Sequence, residues 1–286
     1  MNPLVAIVAP GNMGAAVARC LAGHSIEVIT ELEGRSAASA GRAAAAGMRA
    51  VRLEELTTAE LILSILPPAA ALPFARRLAS PLSAVSRKPV FVDCNAVSPQ
   101  TARLIGATIT ASGAPFVDAG IIGPPPRQGG TQPTFYASGS DAPRFAVLRA
   151  YGLDVRVLDG PVGAASGLKL CFAGINKGII AVATAMTLAA QRMGAAAELR
   201  EELARRQPEL LASLGRKVPD MLPKAYRWVA EMQEISQVAS AESAGGLYLG
   251  AADLYERIAR SMSSDPSQLQ ALRDFFTADA ASRERE

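Results

Sequence analysis

Leu4-Val5-Ala6-Ile7-Val8-Ala9-Pro10-Gly11-Asn12-Met13-Gly14-Ala15-Ala16-Val17-Ala18 is the stretch that decides the fold. Its apolar run reads as a buried parallel strand, and the glycines and alanines after it as a tight turn feeding a helix. A helix that starts this way presents unpaired N–H groups and the positive end of its dipole, which together attract phosphate oxygens. Gly11 would let the backbone approach a diphosphate, and Gly14 would let the helix pack on the strand. The pattern is A-x-G-x-x-G, with Ala9 where a first glycine is usual. An ordinary strand-to-helix turn would look similar, but the flanking strand and helix favour dinucleotide binding through Ala9, Pro10, Gly11, Asn12, Met13 and Gly14.

Outward from this turn, strands and helices alternate. Glu27–Thr30 forms a second strand and Arg49–Arg52 a short third. Leu61–Leu66 forms a fourth, stopped by Pro67 and Pro68. Pro89–Asp93 is a fifth and Ala114–Ala119 a sixth. A Gly/Pro-rich loop over residues 120–133 leads to strands at Thr134–Gly139 and Asp154–Leu158. Alternation ends near Gly160-Pro161-Val162-Gly163, and every later periodic segment is helical: 166–193, 196–213, 221–241, 247–260 and 265–281. The expected architecture is α/β, a Rossmann-type doubly wound sheet over residues 1–161, followed by an all-α domain over 162–286. Residues 282–286 read as a frayed tail.

Composition narrows the chemistry. The chain has 286 residues, a net charge of +3 and half its residues hydrophobic. No Lys/Arg stripe suits nucleic acid. The three cysteines are scattered without metal-ligand spacing, so no metal site is expected, and Cys20 and Cys171 read as buried thiols. No signal peptide and no uninterrupted membrane-length apolar run are evident, which points to a cytoplasmic protein off the membrane. The single histidine, His24, sits in a turn, so histidine-based triads and multi-histidine metal sites are excluded. Proton transfer falls to Lys, Tyr, Asp or Glu.

Several residues lie where such a fold handles its cofactor. Glu31, at the end of the second strand, could accept from a ribose hydroxyl and favour NAD. Arg35 and Ser36 could instead hold the 2′-phosphate of NADP, or simply start the next helix with Ser36 as its cap. NADP is favoured, with NAD possible, provided Glu31 points away. Leu66 and Pro67 end the fourth strand at the ligand edge. Asn95 suits a nicotinamide or substrate amide, or the cap of the helix from Gln100. On the first helix of the second half, Lys169 lies among apolar residues. It reads either as an amine with lowered pKa, able to act as acid or base, or as a lysine that snorkels to water. Lys177 reads as a surface residue. Tyr226 and Trp228 read as core or dimer packing. The apolar circumference of 166–193 exceeds what one domain would bury, so a homodimer through the C-terminal helices is expected.

These motifs together resemble the β-hydroxyacid dehydrogenase superfamily, which includes 3-hydroxyisobutyrate and 6-phosphogluconate dehydrogenases, glyoxylate-type reductases and imine reductases. The matching residues are A-P-G-N-M-G, Leu66-Pro67, Asp93-Cys94-Asn95, Asp118-Ala119 and Gly167-x-Lys169. Lys169-x-x-x-Ala173 and Tyr226–Met232 resemble a phosphogluconate-dehydrogenase-like branch with poorly defined substrates. The resemblance implies a cofactor on the N-terminal domain, substrate in the cleft and Lys169 assisting hydride transfer. It places the substrate loop at Gly120, Ile122 and Gly123, with Glu231 as a further candidate. Here the chain departs from the family. The usual Ser-Gly-Gly is Ile122-Gly123-Pro124, and the usual Asn after the lysine is Ala173, so two polar anchors are missing. Each charge-assisted bond lost costs about 1.5–3 kcal/mol, which disfavours a small carboxylate. Arg127 or Lys224 could offer another anion contact or be surface charges. The implied function is an NADP-dependent oxidoreductase working on a carbonyl or alcohol carbon, the alternatives being imine reduction or a non-catalytic dinucleotide sensor.

Overall fold

The computed structural model describes residues 2–127, 129–264 and 266–277. It divides into two compact units, Met1–Leu170 and Cys171–Glu286. In the first, an eight-stranded sheet has the order β3-β2-β1-β4-β5-β6-β7-β8. The strands are β1 Val5–Val8, β2 Val28–Glu31, β3 Arg49–Val51, β4 Leu61–Ser64, β5 Val90–Asp93, β6 Phe116–Ile122, β7 Thr134–Ser138 and β8 Asp154–Val157. All pairings are parallel except β6 with β7.

The sheet is buried on both faces, which explains its continuous apolar strands. Alternate residues serve opposite layers. Val5 and Ile7 pack on one face with helix α1, Asn12–Ala22. Ala6 and Val8 pack on the other with α3, Pro68–Ala84, and α4, Pro99–Thr110. On that second face Phe74, Phe91 and Phe116 form a ring series at 6.3 and 6.1 Å. Helix α2, Ala37–Ala45, follows β2. Between β7 and β8 a single turn, α5, Ala142–Phe145, passes into a 3₁₀ segment, Ala146–Tyr151.

Helix α6, Ala164–Met193, runs from the first unit into the second. Beyond it, helix breaks fall where prolines dictate. The segment read as one helix over 196–213 is two, α7 Ala196–Arg206 and α8 Pro208–Met221. Pro208 forces Gln207 out of the helical region, to φ −139 and ψ 53. At Pro223 the chain stays near helical geometry but tightens into a 3₁₀ segment, Leu222–Lys224, before α9, Ala225–Ala239. α10, Gly245–Ser264, and α11, Pro266–Thr277, complete the unit. The expected continuation to residue 281 and the expected tail at 282–286 lie outside the described residues.

Three other expectations are corrected. α6 is long and apolar enough by length and composition to cross a membrane, because it contains no helix-breaking proline. Cys171 is exposed, since it falls on the open side of α6, and Cys20 is half-buried. Tyr226 is 68% exposed rather than core, whereas Trp228 packs edge-on against Tyr255 at 5.2 Å.

Candidate functional site

The turn after β1 is built as its sequence requires. A Cβ on Gly14 would lie 2.2 Å from the Ala9 carbonyl oxygen, so only glycine lets α1 start there. Gly11 faces open space, with nothing within 4 Å of where its Cβ would stand. No side chain caps α1, whose N-cap is Gly11, nor α3, whose N-cap is Pro67. By contrast, Ser36 caps α2 through the Ser39 N–H, and Ser98 caps α4 through the Thr101 N–H. α1 and α3 thus begin without a side-chain cap at the two stretches expected to meet the cofactor, and the first turn of α1 offers its N–H groups to an anion.

Around the end of β2, Glu31 is buried. Its Oε1 accepts from Arg77 at 2.8 Å, while Oε2 has no hydrogen-bond partner and lies 3.9 Å from Arg35. Arg42 donates to the Pro10 carbonyl and the Ser39 hydroxyl, both at 2.9 Å, tying α2 to the glycine turn. An open glycine cradle, an uncapped helix and an orphaned buried oxygen at the ribose position together fit a dinucleotide. Arg77 and Arg42 were not evident in the sequence, because only folding brings them beside Glu31 and Pro10.

A polar row crosses the sheet at its ligand edge. Strand register sets Ser64, Asp93, Asp118 and Ser138 side by side on β4, β5, β6 and β7. All are essentially inaccessible to solvent. Asn95 closes one end: its Nδ2 donates to Ser64 Oγ at 2.9 Å and to Asp93 Oδ1, and its Oδ1 accepts from the Leu66 N–H at 2.5 Å. Asn95 is therefore a clamp on this edge. It is not a free amide for nicotinamide, and it is not a helix cap, since Ser98 takes that role.

The other end is saturated. Asp118 accepts from the N–H groups of Gly163, Ala165 and Ser166 at 2.9–3.1 Å and from the Ser138 and Ser166 hydroxyls at 2.9 and 2.5 Å. This carboxylate meets the positive end of α6 and fixes where that helix begins. One turn later, α6 passes over Gly120: a Cβ there would lie 2.8 Å from the Ala165 carbonyl oxygen and 3.2 Å from Lys169 Cβ. Gly120 is thus a close-approach glycine under α6 and has no surface to offer a substrate. Ile122 is half-buried at the end of β6. Gly123 stands at φ +124, where a Cβ would lie 3.0 Å from Pro133 Cα, a conformation that demands glycine.

Lys169 is half-buried and, among the described residues, makes no hydrogen bond or ion pair. Burial lowers its pKa, and the nearby Cys94 and Asp93 oppose that shift. Asp93 Oδ2 has no partner. Burial and the neighbouring Asp118 push the Asp93 carboxyl up to about 7. Burial holds the Cys94 thiol well above its ordinary range. The sequence motif around Asp93 was visible, but its orphaned oxygen was not.

Among the remaining candidates, Glu231 is bound to Lys177, which is 15% exposed and sits 4.8 Å from the Trp228 ring. Lys177 is therefore not a surface residue: α9 covers it, and the aromatic face compensates its lost hydration. Lys224 pairs with Asp220 at 2.6 Å, and Arg127 is exposed. No group of metal-ligating residues exists among the described residues.

Comparison with known proteins agrees with this geometry. The family model for the NAD binding domain of 6-phosphogluconate dehydrogenase matches residues 4–148, and a domain of unknown function matches 190–258. An uncharacterised 28.5 kDa protein of Methanothermus fervidus is 28% identical over 180 residues, 62% of this chain and 67% of that one. A conserved protein of unknown function, described as structurally similar to 3-hydroxyacid dehydrogenases, superposes with a TM-score of 0.76 at 27% identity, covering 94% of this chain and 98% of that one. The 3-hydroxyisobutyrate dehydrogenase of Mycobacterium tuberculosis, with L-serine, gives 0.67 at 20% identity over 99% and 100%. An imine reductase from Myxococcus stipitatus with NADP+ gives 0.59 at 16% over 96% and 99%. With the glycine cradle, the strand order and the lysine-bearing helix in place, the chain belongs to the β-hydroxyacid dehydrogenase superfamily, carrying an NAD(P)-binding domain of the 6-phosphogluconate dehydrogenase type and a divergent helical C-terminal unit.

Proposed function

We propose that this protein is an NADP-linked oxidoreductase that works on a carbonyl or alcohol carbon, with Lys169 as its proton-transfer group. The carrying observation is a half-buried amine, without a hydrogen bond or ion pair among the described residues, on the same sheet edge as the glycine cradle. When bound, the dinucleotide supplies the hydride. Gly11, Asn12, Met13 and the start of α3 at Leu66-Pro67 would hold its phosphates and flank its ring. Arg35 and Arg77 both lie against the single carboxylate of Glu31, and Arg42 stands at the Pro10 carbonyl of the glycine turn, leaving an excess of positive charge that suits a 2′-phosphate. Lys169 Nζ would give its proton to the substrate oxygen on reduction and hold the oxygen's proton on oxidation.

Titration with NADPH against NADH tests the cofactor, and Lys169→Ala tests the chemistry. The expected variant binds NADPH as tightly as the wild type and turns over about 10²–10⁴-fold more slowly. Undiminished turnover would overturn the role of Lys169. NADPH binding with no consumption across an aldehyde, ketone and imine panel would favour a dinucleotide sensor.

Imine reduction is the second reading. Ile122 and Ala173 stand where hydroxyacid enzymes of the superfamily place polar anchors, and imine reductases are among the structural neighbours, with NADP+ or NAD+ bound. An imine substrate has no carboxylate to anchor.

We propose further that the protein works in the cytoplasm, consistent with cysteines that form no disulfide among the described residues, and that a second copy of the chain covers the outer face of α6. Phe172, Ile175, Ile179, Val182, Met186 and Met193 are each at least 48% exposed. They recur largely at steps of three and four residues, the heptad seam of a helix that packs on another helix. Ile175, Ile179, Val182 and Met186 of this seam also form one wall of an apolar groove of about 490 Å³, completed by residues of α7, α8, α10 and α11. Light scattering of the wild type against Ile179→Glu checks this: a dimer that becomes a monomer is expected, and a monomeric wild type refutes it.

A further inference from the structure

We propose that Asp93 is the residue that sets the charge of Lys169, a positioning role for a carboxylate held inside the sheet edge with one oxygen left unpartnered. The inference rests on Lys169 as the proton-transfer group and deepens that reading.

The placement comes from the strands. Asp93 ends β5 in register with Asp118 on β6, and Asp118 fixes the first turn of α6. Gly120 lies two residues further along β6, on the same face as Asp118. There α6 comes so close that Lys169 Cβ would stand 3.2 Å from a Cβ added to the glycine. Asp93 and Lys169 are thus brought to one corner by two adjacent strands and the helix laid over them. The groups that face Asp93 are Asp118, Asn95, Cys94 and Lys169. Asp118 is saturated by its own five donors. Asn95 occupies only Oδ1 of Asp93. Cys94 is a fully buried thiol whose pKa is raised, so it carries no charge near neutrality. Lys169 is therefore the one cation among them, and the orphaned Oδ2 is the one unspent acceptor.

A buried carboxylate oxygen without a donor is costly, and native folds rarely keep one without a use. Its use follows from what burial does to the amine. Desolvation is the largest influence on Lys169 and favours the neutral form. A neutral amine has no proton to give in reduction. Cys94 and Asp93 oppose that desolvation, and because burial holds the Cys94 thiol well above its ordinary range, Asp93 is the one of the two that carries charge near neutrality and favours the ammonium. Asp93 in turn is held near its own titration point by burial and by Asp118, so the charge it lends is adjustable around neutrality.

The test is competitive labelling of the full-length protein with acetic anhydride, followed by mass spectrometry of the Lys169 peptide across the pH range in which amines titrate, with exposed Lys217 as the internal reference. Asp93→Asn keeps the acceptor for Asn95 and removes the charge. The expected result is a Lys169 midpoint lowered by about one pH unit, with Lys217 unmoved. An unmoved Lys169 midpoint in the folded variant overturns the proposal. Should that variant not fold, Lys169→Met reads the same coupling from the other side. The Asp93 carboxyl, followed by ¹³C NMR, is then expected to titrate at higher pH than in the wild type, and an unchanged midpoint overturns the proposal. Neither measurement needs turnover, so a failed redox assignment leaves the coupling result standing, and a failed coupling leaves the Lys169→Ala result standing.

Discussion

The two halves of the polar row across the sheet make opposite use of the same residue type. On β6, Asp118 is surrounded by five donors and anchors a helix. One strand away on β5, Asp93 is equally buried but has a single donor and an oxygen with none. A carboxylate that accepts several N–H bonds at a helix start is an architectural group that fixes where the helix begins. A carboxylate buried without them is strained electrostatically and becomes responsive to pH. Burial alone thus says little about an acidic residue: the count and direction of donors decide whether it holds structure or holds a proton.

The largest effect is expected from breaking the saturated half. Asp118→Ala leaves the Gly163 and Ser166 N–H groups and two hydroxyls without their acceptor, the Ala165 N–H keeping Ser138 Oγ, and should cost about 3–5 kcal/mol of stability. Urea unfolding checks this, and a loss under about 1 kcal/mol would show that water replaces the carboxylate at little cost. The next effect sharpens the contrast through pH. The Asp93 carboxyl is raised in the folded state to about 7 from an ordinary 3.8, so the folded protein binds the proton more tightly than the unfolded chain does. Its contribution to stability is full below that ordinary value and is lost as pH rises through about 7. Asp93→Asn should therefore gain on the wild type as pH rises from 4 towards 7, by up to about 1 kcal/mol per pH unit. A difference that stays flat in unfolding experiments over this range would remove the distinction between the two aspartates. Smallest is Ser138→Ala, which removes one of the five donors to Asp118 and the acceptor of the Ala165 N–H. About 1 kcal/mol, without pH dependence near neutrality, is expected from thermal unfolding. A pH-dependent loss would mean that the two carboxylates share their donors.

Much of this was legible in the chain before folding. Alternating apolar strands and Ala-rich helices marked the α/β half, and the glycine turn marked the cradle, because periodicity and glycine are local signals. The apolar neighbours of Lys169 fit a snorkelling lysine as well as a catalytic one, and only the family resemblance singles it out. Asn95, Gly120 and Glu231 were noticed for the wrong reason. Each is polar or small near a strand end or on a helix, which attracts a ligand reading, but Asn95 bonds back to Ser64 and Leu66, Gly120 lies under α6, and Glu231 holds Lys177. Those partners are 29, 31, and 54 positions away in the chain, or meet only through packing, and no local pattern announces them.

The sequence by itself determined which segments are strands, where the glycine turn lies and that Lys169 sits among apolar neighbours on a helix, since each depends on residues within a few positions of one another. The tertiary structure alone decided that Ser64, Asp93, Asp118 and Ser138 stand in one row, and that one of the two acids is saturated and the other left open. Strand register and the seat of α6 settle that, and both are set by contacts between residues far apart in the chain.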